Sequence, residues 1–481
     1  MERLFDRLAR IVGERNLATE DFALYAVHVD AGFEHGGFPD IVARAKTTEQ
    51  VAEILRLANR EKVPVTVRGG GTSAAGGVTP VYRGGILLDM TDMDSILSVD
   101  LDQATVTVEA GVSFGQLAAE LHPKNVTMCL GGHAIYSATV GGCISNTSVS
   151  VGSGYYGMFG EQVVSVKVVT PKGDVIHTGS DVMKAGGRFQ RYCNGPDLGG
   201  LFIGDSGILG VKTEATLRLY PMPEARAFET YCFDSLEKGT AASIRIEQAG
   251  IFDGIISFGS NTIAVMRAGG GAGSEIPADT QLIFRLSIAG ESAYVESHLR
   301  KLDRIAEFHG GVKIGPALAK AVTYDIMGTE FSKTRVYGVV APIACLVPMT
   351  KIPEITRVVE SYLRDHEDLV MAVKGTDLRN WTNTGVVTKG SSISYAGRIA
   401  FSEDASVRER AYGVWHALLE KMIELGGCPY WTGKTWTPHM VRGYRPGNLV
   451  FLRALKRFLD PKNILNRGLL VDEIDKQERI G

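Results

Sequence analysis

Apolar positions along the chain recur with two periods, one helical and one alternating. The opening MERLFDRLARIVGERNL mixes charged and apolar residues at helical spacing, so residues 1–45 read as a helix and a loop. TTEQVAEILRLANR, Thr47 to Arg60, predicts an amphipathic helix capped by Thr48, with Val51, Ile54, Leu55 and Ala58 as its buried stripe. A short strand, Val63 to Val67, then runs into a glycine-rich turn, and GILLDM, ATVTVEA and SVKVVTP read as further strands. Pro221 and Pro223 mark a boundary. Beyond it, helices (AASIRIEQAG, SAYVESHLRKLDRIAEFHG, IPEITRVVESYLRDH, SVRERAYGVWHALLEKMIELGG) alternate with strands (QLIFRLSIAG, ACLVPM, SISYAGRIAFS). RAGGGAGSEIPADT reads as a flexible loop, and NLVFLRALKRFLD as a last helix with a solvated basic face at Arg453, Lys456 and Arg457. The pattern predicts an α+β protein with helices laid on sheet.

At 481 residues the chain is too long for one ordinary core. Its formal charge of −3 gives no large basic excess, so nucleic acid or an anionic membrane is not expected as a main partner. No apolar run reaches the ~18 residues a membrane span needs, and the N-terminus lacks the apolar stretch of a secretory signal. A cytoplasmic location is expected. The six cysteines form no C-x-x-C pair, which argues against a zinc ribbon or iron–sulfur cluster and reads as reduced core residues. The 57 glycines exceed the usual share of ~7 % without a three-residue period, so they serve turns and close backbone approaches.

The densest glycine run is Arg68-Gly69-Gly70-Gly71-Thr72-Ser73-Ala74-Ala75-Gly76-Gly77. Adjacent glycines let backbone amides converge on an anion, and Thr72 and Ser73 add hydroxyls. The run fits neither G-x-x-x-x-G-K-[ST] nor G-x-G-x-x-G, and taken alone it is equally a plain turn. Three more segments stand in order after it. They are Gly131-Gly132-His133 leading to Ala138-Thr139-Val140-Gly141-Gly142-Cys143-Ile144-Ser145-Asn146, then Gly152-Ser153-Gly154-Tyr155-Tyr156-Gly157, then Gly199-Gly200-Leu201-Phe202-Ile203-Gly204-Asp205-Ser206-Gly207-Ile208-Leu209-Gly210-Val211. With Asp460-Pro461-Lys462-Asn463-Ile464-Leu465-Asn466 near the end, the chain resembles the vanillyl-alcohol oxidase / p-cresol methylhydroxylase superfamily, most closely its glycolate oxidase flavin-subunit and D-lactate dehydrogenase branch.

The resemblance implies a PCMH-type FAD-binding domain over 1–223, an α+β cap domain with an antiparallel sheet over 224–425, and a segment, 426–481, returning to the FAD domain. Arg68, Gly69, Gly70, Gly71, Thr72 and Ser73 would hold the FAD pyrophosphate. Gly132, His133, Thr139, Gly141, Gly142, Ser145 and Asn146 would line the flavin side, with Tyr156 and Gly157 beside them. Val211 would meet the adenine end through its backbone, and Asn466 would return to the FAD domain. The histidine that carries covalent flavin in some members has no counterpart in Gly69-Gly70-Gly71-Thr72, so non-covalent FAD is expected. The paired metal histidines of the hydroxy-acid branch are missing from Thr388-Lys389-Gly390-Ser391-Ser392-Ile393-Ser394-Tyr395-Ala396, so no metal site is expected.

Catalytic candidates fall on Cys428-Pro429-Tyr430-Trp431-Thr432-Gly433-Lys434-Thr435-Trp436-Thr437-Pro438-His439, where Tyr430 and Thr432 match the Tyr and Thr of the vanillyl-alcohol-oxidase branch. Tyr430 would polarise or deprotonate a substrate hydroxyl, while Lys434 or His439 would serve flavin N1 or act as base. Arg398 would neutralise a substrate carboxylate or reduced flavin. Each also reads as packing or solvated surface. The implied reaction is oxidation of a small alcohol by hydride transfer to flavin N5. An aryl or phenolic alcohol and a 2-hydroxy acid compete as substrate, and a third reading is an FAD-carrying electron-transfer subunit of a larger complex. Oxygen, a quinone or a redox protein would accept the electrons, and a homo-oligomer is open.

Overall fold

The computed structural model describes residues 2–32, 34–129, 134–150, 152–193, 195–250, 254–320, 339–372, 377–379, 384–388, 391–401 and 404–472. The chain divides into two compact units. The first gathers 1–148, 159–221 and 431–481; the second holds 149–158 and 222–430.

In the first unit the predicted amphipathic helix spans Thr48–Glu61, and its Val51, Ile54, Leu55 and Ala58 are fully buried. The cap is Thr47, one residue before the one expected; its hydroxyl accepts from the Gln50 amide. The helix packs on a four-stranded sheet ordered Leu17–Ala18, Ile41–Arg44, Ile86–Asp89 and Val65–Arg68, through Ile41, Ala43, Ile86 and Leu88. Each such aliphatic side chain contributes about 1.5–3 kcal/mol on burial. The last three strands run parallel, so each emerges at the same edge. Val65–Arg68, a residue or two later than expected, delivers the glycine run there. Its outer side is covered by the chain terminus: Val65 donates to the Ile464 carbonyl at 2.7 Å and Asn466 donates back to Val65 at 2.8 Å.

A second, five-stranded antiparallel sheet is ordered Ile96–Asp100, Thr105–Glu109, Val211–Arg218, Val163–Val169 and Val175–His177. Its centre is locked by a hydroxyl pair, Thr107 to Thr216 at 2.9 Å. The second unit is built on an eight-stranded antiparallel sheet. Its strands include Ala225–Phe233, Leu282–Gly290, Gly254–Phe258, Val339–Pro348 and Ser391–Phe401, and its helices include Leu236–Ala249, Ser292–Phe308, Ile352–Arg364 and Ala405–Glu424. The predicted flexible loop near Gly270 instead holds a turn of 3₁₀ helix, Gly271–Glu275, preceded by a helix, Ser260–Ala268, that the sequence pattern missed. All six cysteines are free, and four are buried. Among the described residues no helix is long and apolar enough to cross a membrane.

Candidate functional site

The glycine run leaves its strand and passes against the segment before the helix Val140–Asn146. A Cβ on Gly69 would overlap the Thr139 hydroxyl, and one on Gly70 would overlap the Ser137 carbonyl oxygen and lie 2.7 Å from its carbon. The glycines are therefore required by proximity at these two positions. Gly71, at φ +65°, is required by conformation, and it lies against the Arg68 guanidinium. Thr72 is half-buried in the same turn. The Ser73 carbonyl accepts from Ala31 at 2.9 Å, and its hydroxyl accepts from the Ala75 amide at 3.2 Å and the Asn146 side chain at 3.3 Å.

Thr139 caps the helix, its hydroxyl accepting from Gly142 at 3.4 Å. The Gly141 amide donates to the Ala110 carbonyl at 2.8 Å, which holds the start of the helix on the neighbouring segment. Ser145 donates its hydroxyl to the Gly141 carbonyl at 2.9 Å, and its own carbonyl accepts from Ser206 at 3.0 Å. Ser206 is tied in turn to Asn466, whose side-chain amide donates to the Ser206 carbonyl at 2.7 Å and whose oxygen accepts from Val67 at 2.9 Å. Val67 leads back into the glycine run. The structure thus brings Gly69 to Ser73, Thr139, Gly141, Gly142, Ser145, Asn146 and Asn466 into one closed circuit of contacts. Val211 begins its strand fully buried opposite Val169. Gly132 and His133 lie outside the described residues. Tyr156 ends a short helix, Ser153–Tyr156, capped by Gly157, and both belong to the second unit.

Charged groups stabilise this circuit, and two of them, Asp30 and Lys212, carried no sequence signal. Asp30 accepts from Gly32 and Gly76, both at 2.8 Å. Burial pushes its carboxyl up to about 6, against the pull of those amides and of Lys434 and Arg68. Arg68 donates to the carbonyls of Val29 at 3.0 Å and Val27 at 3.4 Å, and burial lowers its pKa, opposed by Asp30 and Asp89. Asp205 and Lys212 form a fully buried ion pair, in which burial pushes the acid up and the base down. Asp205 also accepts from Gly207 at 2.9 Å, which shapes the turn that carries Ser206. Lys456, expected on a solvated face, is buried instead. It donates to Asp460 at 2.6 Å and to the carbonyls of Leu465 at 2.7 Å and Ile208 at 3.1 Å, pinning the Asp460–Asn466 turn.

The catalytic candidates fall on both units, Lys434 and His439 on the first and Tyr430 and Arg398 on the second. Lys434 extends its stem along Gly76 and donates to the His35 carbonyl, clamping the glycine run. His439 is buried, and its Nδ1 faces the Arg442 guanidinium at 3.1 Å. Arginine only donates, so Nδ1 is the acceptor of this bond. Thr432 pairs its hydroxyl with Ser206 in the first unit. Tyr430 belongs to the second unit, where it is buried and its phenol oxygen accepts from the Val149 amide at 2.6 Å. Arg398 sits on the strand Ser391–Phe401 opposite Pro342. Among the described residues no group of three or more His, Cys, Asp or Glu is arranged to hold a metal.

Comparison with known proteins gives the family of the chain. A family profile described as FAD binding domain matches residues 39–179, and one described as FAD linked oxidases, C-terminal domain, matches 222–470. The chain belongs to the FAD-linked oxidases. As a member it is an FAD-dependent oxidoreductase with an α+β, PCMH-type fold. It is 25 % identical to glycolate oxidase subunit GlcD of Bacillus subtilis over 99 % of this chain and 98 % of that one. It is 29 % identical to a mitochondrial D-lactate dehydrogenase [cytochrome] of Arabidopsis thaliana over 57 % of this chain and 46 % of that one. In fold it is similar to p-cresol methylhydroxylase with substrate bound, with a TM-score of 0.83, 18 % identity and coverage of 98 % and 97 %. In the glycine circuit the chain packs closely on itself: the atoms a Cβ would meet at Gly69 and Gly70 are the Thr139 hydroxyl and the Ser137 carbonyl, and Asn146 bonds Ser73 beside them.

Proposed function

We propose that this FAD-linked oxidase oxidises a 2-hydroxy acid, holding FAD non-covalently on the circuit of Gly69 to Ser73, Thr139 to Asn146 and Asn466. Bound FAD supplies the hydride acceptor. The chain's own residues position it. Asp30, Arg68 and Lys434 fix the glycine run, and Asn466 with Ser206 fixes its far side. The observation that carries the substrate class is the end-to-end correspondence with a glycolate oxidase subunit. Thr432 supports it too. The Tyr-x-Thr resemblance to the aryl-alcohol branch loses one partner, because that hydroxyl is bonded to Ser206.

An aryl alcohol is the second reading, favoured by the likeness in fold to p-cresol methylhydroxylase and by the buried Tyr430. Here Tyr430 would act on the substrate hydroxyl and Arg398 on developing negative charge. The third reading is an electron-transfer subunit, since the Bacillus relative is named a subunit.

The test is anaerobic addition of glycolate, D-lactate and a 4-hydroxybenzyl alcohol to the purified yellow protein. Bleaching of the flavin by a hydroxy acid is expected, and bleaching by the phenolic alcohol alone would overturn the substrate class. Denaturation should release FAD to the supernatant; colour left on the precipitate would refute non-covalent binding. Turnover of a purified homomer with a dye acceptor would exclude the electron-transfer reading.

A further inference from the structure

The helix Pro446–Leu459 reverses the usual amphipathic order. Gly447, Val450, Phe451, Ala454 and Phe458 recur three and four residues apart and so share one face. That face is in solvent: Val450 is 67 % exposed, Phe451 65 % and Phe458 71 %. The other side buries the Lys456 ammonium described above. A helix that buries its lysine and exposes two phenylalanines has an apolar face with no partner among the described residues.

The rim of that face is basic. The Lys172 ammonium sits 5.3 Å from the Phe458 ring centroid and donates to the Phe458 carbonyl at 3.0 Å. Arg457 is exposed beside it, and Arg445 is exposed at the N-cap. From Arg442 to Arg467 the sequence holds seven basic residues and one acid; the acid, Asp460, is buried with Lys456 as its partner, which leaves six basic residues and no further acid. The net charge of −3 for the whole chain conceals this local excess.

We propose that this face docks on an anionic lipid surface. Its size argues against a protein partner. Fourteen residues make a stripe roughly 21 Å long and ~10 Å wide, about a quarter of the ~800 Å² that each partner contributes to a stable protein interface. A second copy would also set Arg457 and Arg445 against their own equivalents, with no acid on the helix to meet them. A bilayer interface needs no shape match. It takes phenylalanine at the acyl boundary and arginine or lysine at the phosphates.

Flotation of the holoprotein with vesicles of equimolar phosphatidylcholine and phosphatidylglycerol tests this. Binding is expected to these vesicles and not to pure phosphatidylcholine. It should weaken as salt shortens the screening length from about 10 Å at 0.1 M to about 3 Å at 1 M. Phe451→Ser with Phe458→Ser should abolish it, and Arg457→Glu should weaken it at least about fivefold, the share of one basic residue near such a surface. Flavin content and thermal unfolding, measured alongside, should hold, since these side chains are exposed. Absence of flotation, or equal flotation of the double variant, overturns the proposal. So does a solution dimer that the double variant dissociates, which would assign the face to a second copy. If the double variant fails to fold, the salt series on the wild type and Arg457→Glu still decide.

Discussion

Gly70→Ala adds one methyl group at the narrowest point of the candidate cofactor site. The new Cβ would overlap the Ser137 carbonyl oxygen and stand 2.7 Å from its carbon, where ordinary contact begins at 3.4 Å. The carbon alone must retreat by about 0.7 Å, and the oxygen by more. Nothing in the way is a flexible side chain. The obstructing segment is itself anchored, with Ser137 and Ala138 both donating to the Ala134 carbonyl at 3.0 and 2.7 Å. Gly70 does not have a positive φ, so the cost is steric and not conformational. Overpacking of this kind costs about 1–3 kcal/mol. If FAD needs the loop in its present place, that cost falls on the bound state and raises the dissociation constant about 5- to 150-fold. The assay is titration of apoprotein with FAD, followed by quenching of flavin fluorescence, with thermal unfolding of the apoprotein in parallel. Gly413→Ala is the control, since a Cβ there meets nothing within 4 Å. Wild-type affinity in Gly70→Ala, together with a lowered apoprotein stability, would show that the loop is a structural turn outside the cofactor site.

Asp30 gives stability a pH dependence of defined sign. Its carboxyl is raised from 3.8 to about 6 in the fold, so its contribution is complete below 3.8 and is lost as pH rises through 6, by about 3 kcal/mol. Asp30→Asn should flatten the urea-unfolding profile over that window, and an unchanged slope would refute the assignment. Tyr430→Phe should lower thermal stability, because the buried Val149 amide loses its acceptor, at a cost of about 1–3 kcal/mol. If the phenol also assists the substrate, stopped-flow flavin reduction should slow roughly 10²–10⁴-fold, whereas a change under about threefold would restrict Tyr430 to packing. Lys212→Met leaves the Asp205 carboxylate buried without its partner and should destabilise by about 3–5 kcal/mol in chemical denaturation. A loss below about 1 kcal/mol would mean that the acid is held neutral.

Local pattern alone determined much of this protein. The stripe Val51, Ile54, Leu55 and Ala58 is buried as its spacing requires, because a helix repeats every 3.6 residues wherever it packs. The order of the glycine-rich motifs likewise pointed to an FAD-linked oxidase, since backbone that must approach other backbone closely excludes side chains. The tertiary structure decided what each polar side chain does. Asn466 and Val67 are 399 positions apart, as are Lys434 and His35, and no periodicity encodes such pairs. Lys456 sits in a helix whose spacing suits a solvated face, yet the Asp460 carboxylate at the helix end, the Leu465 carbonyl and the Ile208 carbonyl from 248 positions away meet its buried ammonium. Asp30 lies in an irregular loop, and its role exists only once Gly76 is folded against it. Hydrophobic periodicity is a property of neighbours along the chain, whereas the burial of a charge depends on which remote donors and acceptors arrive to satisfy it.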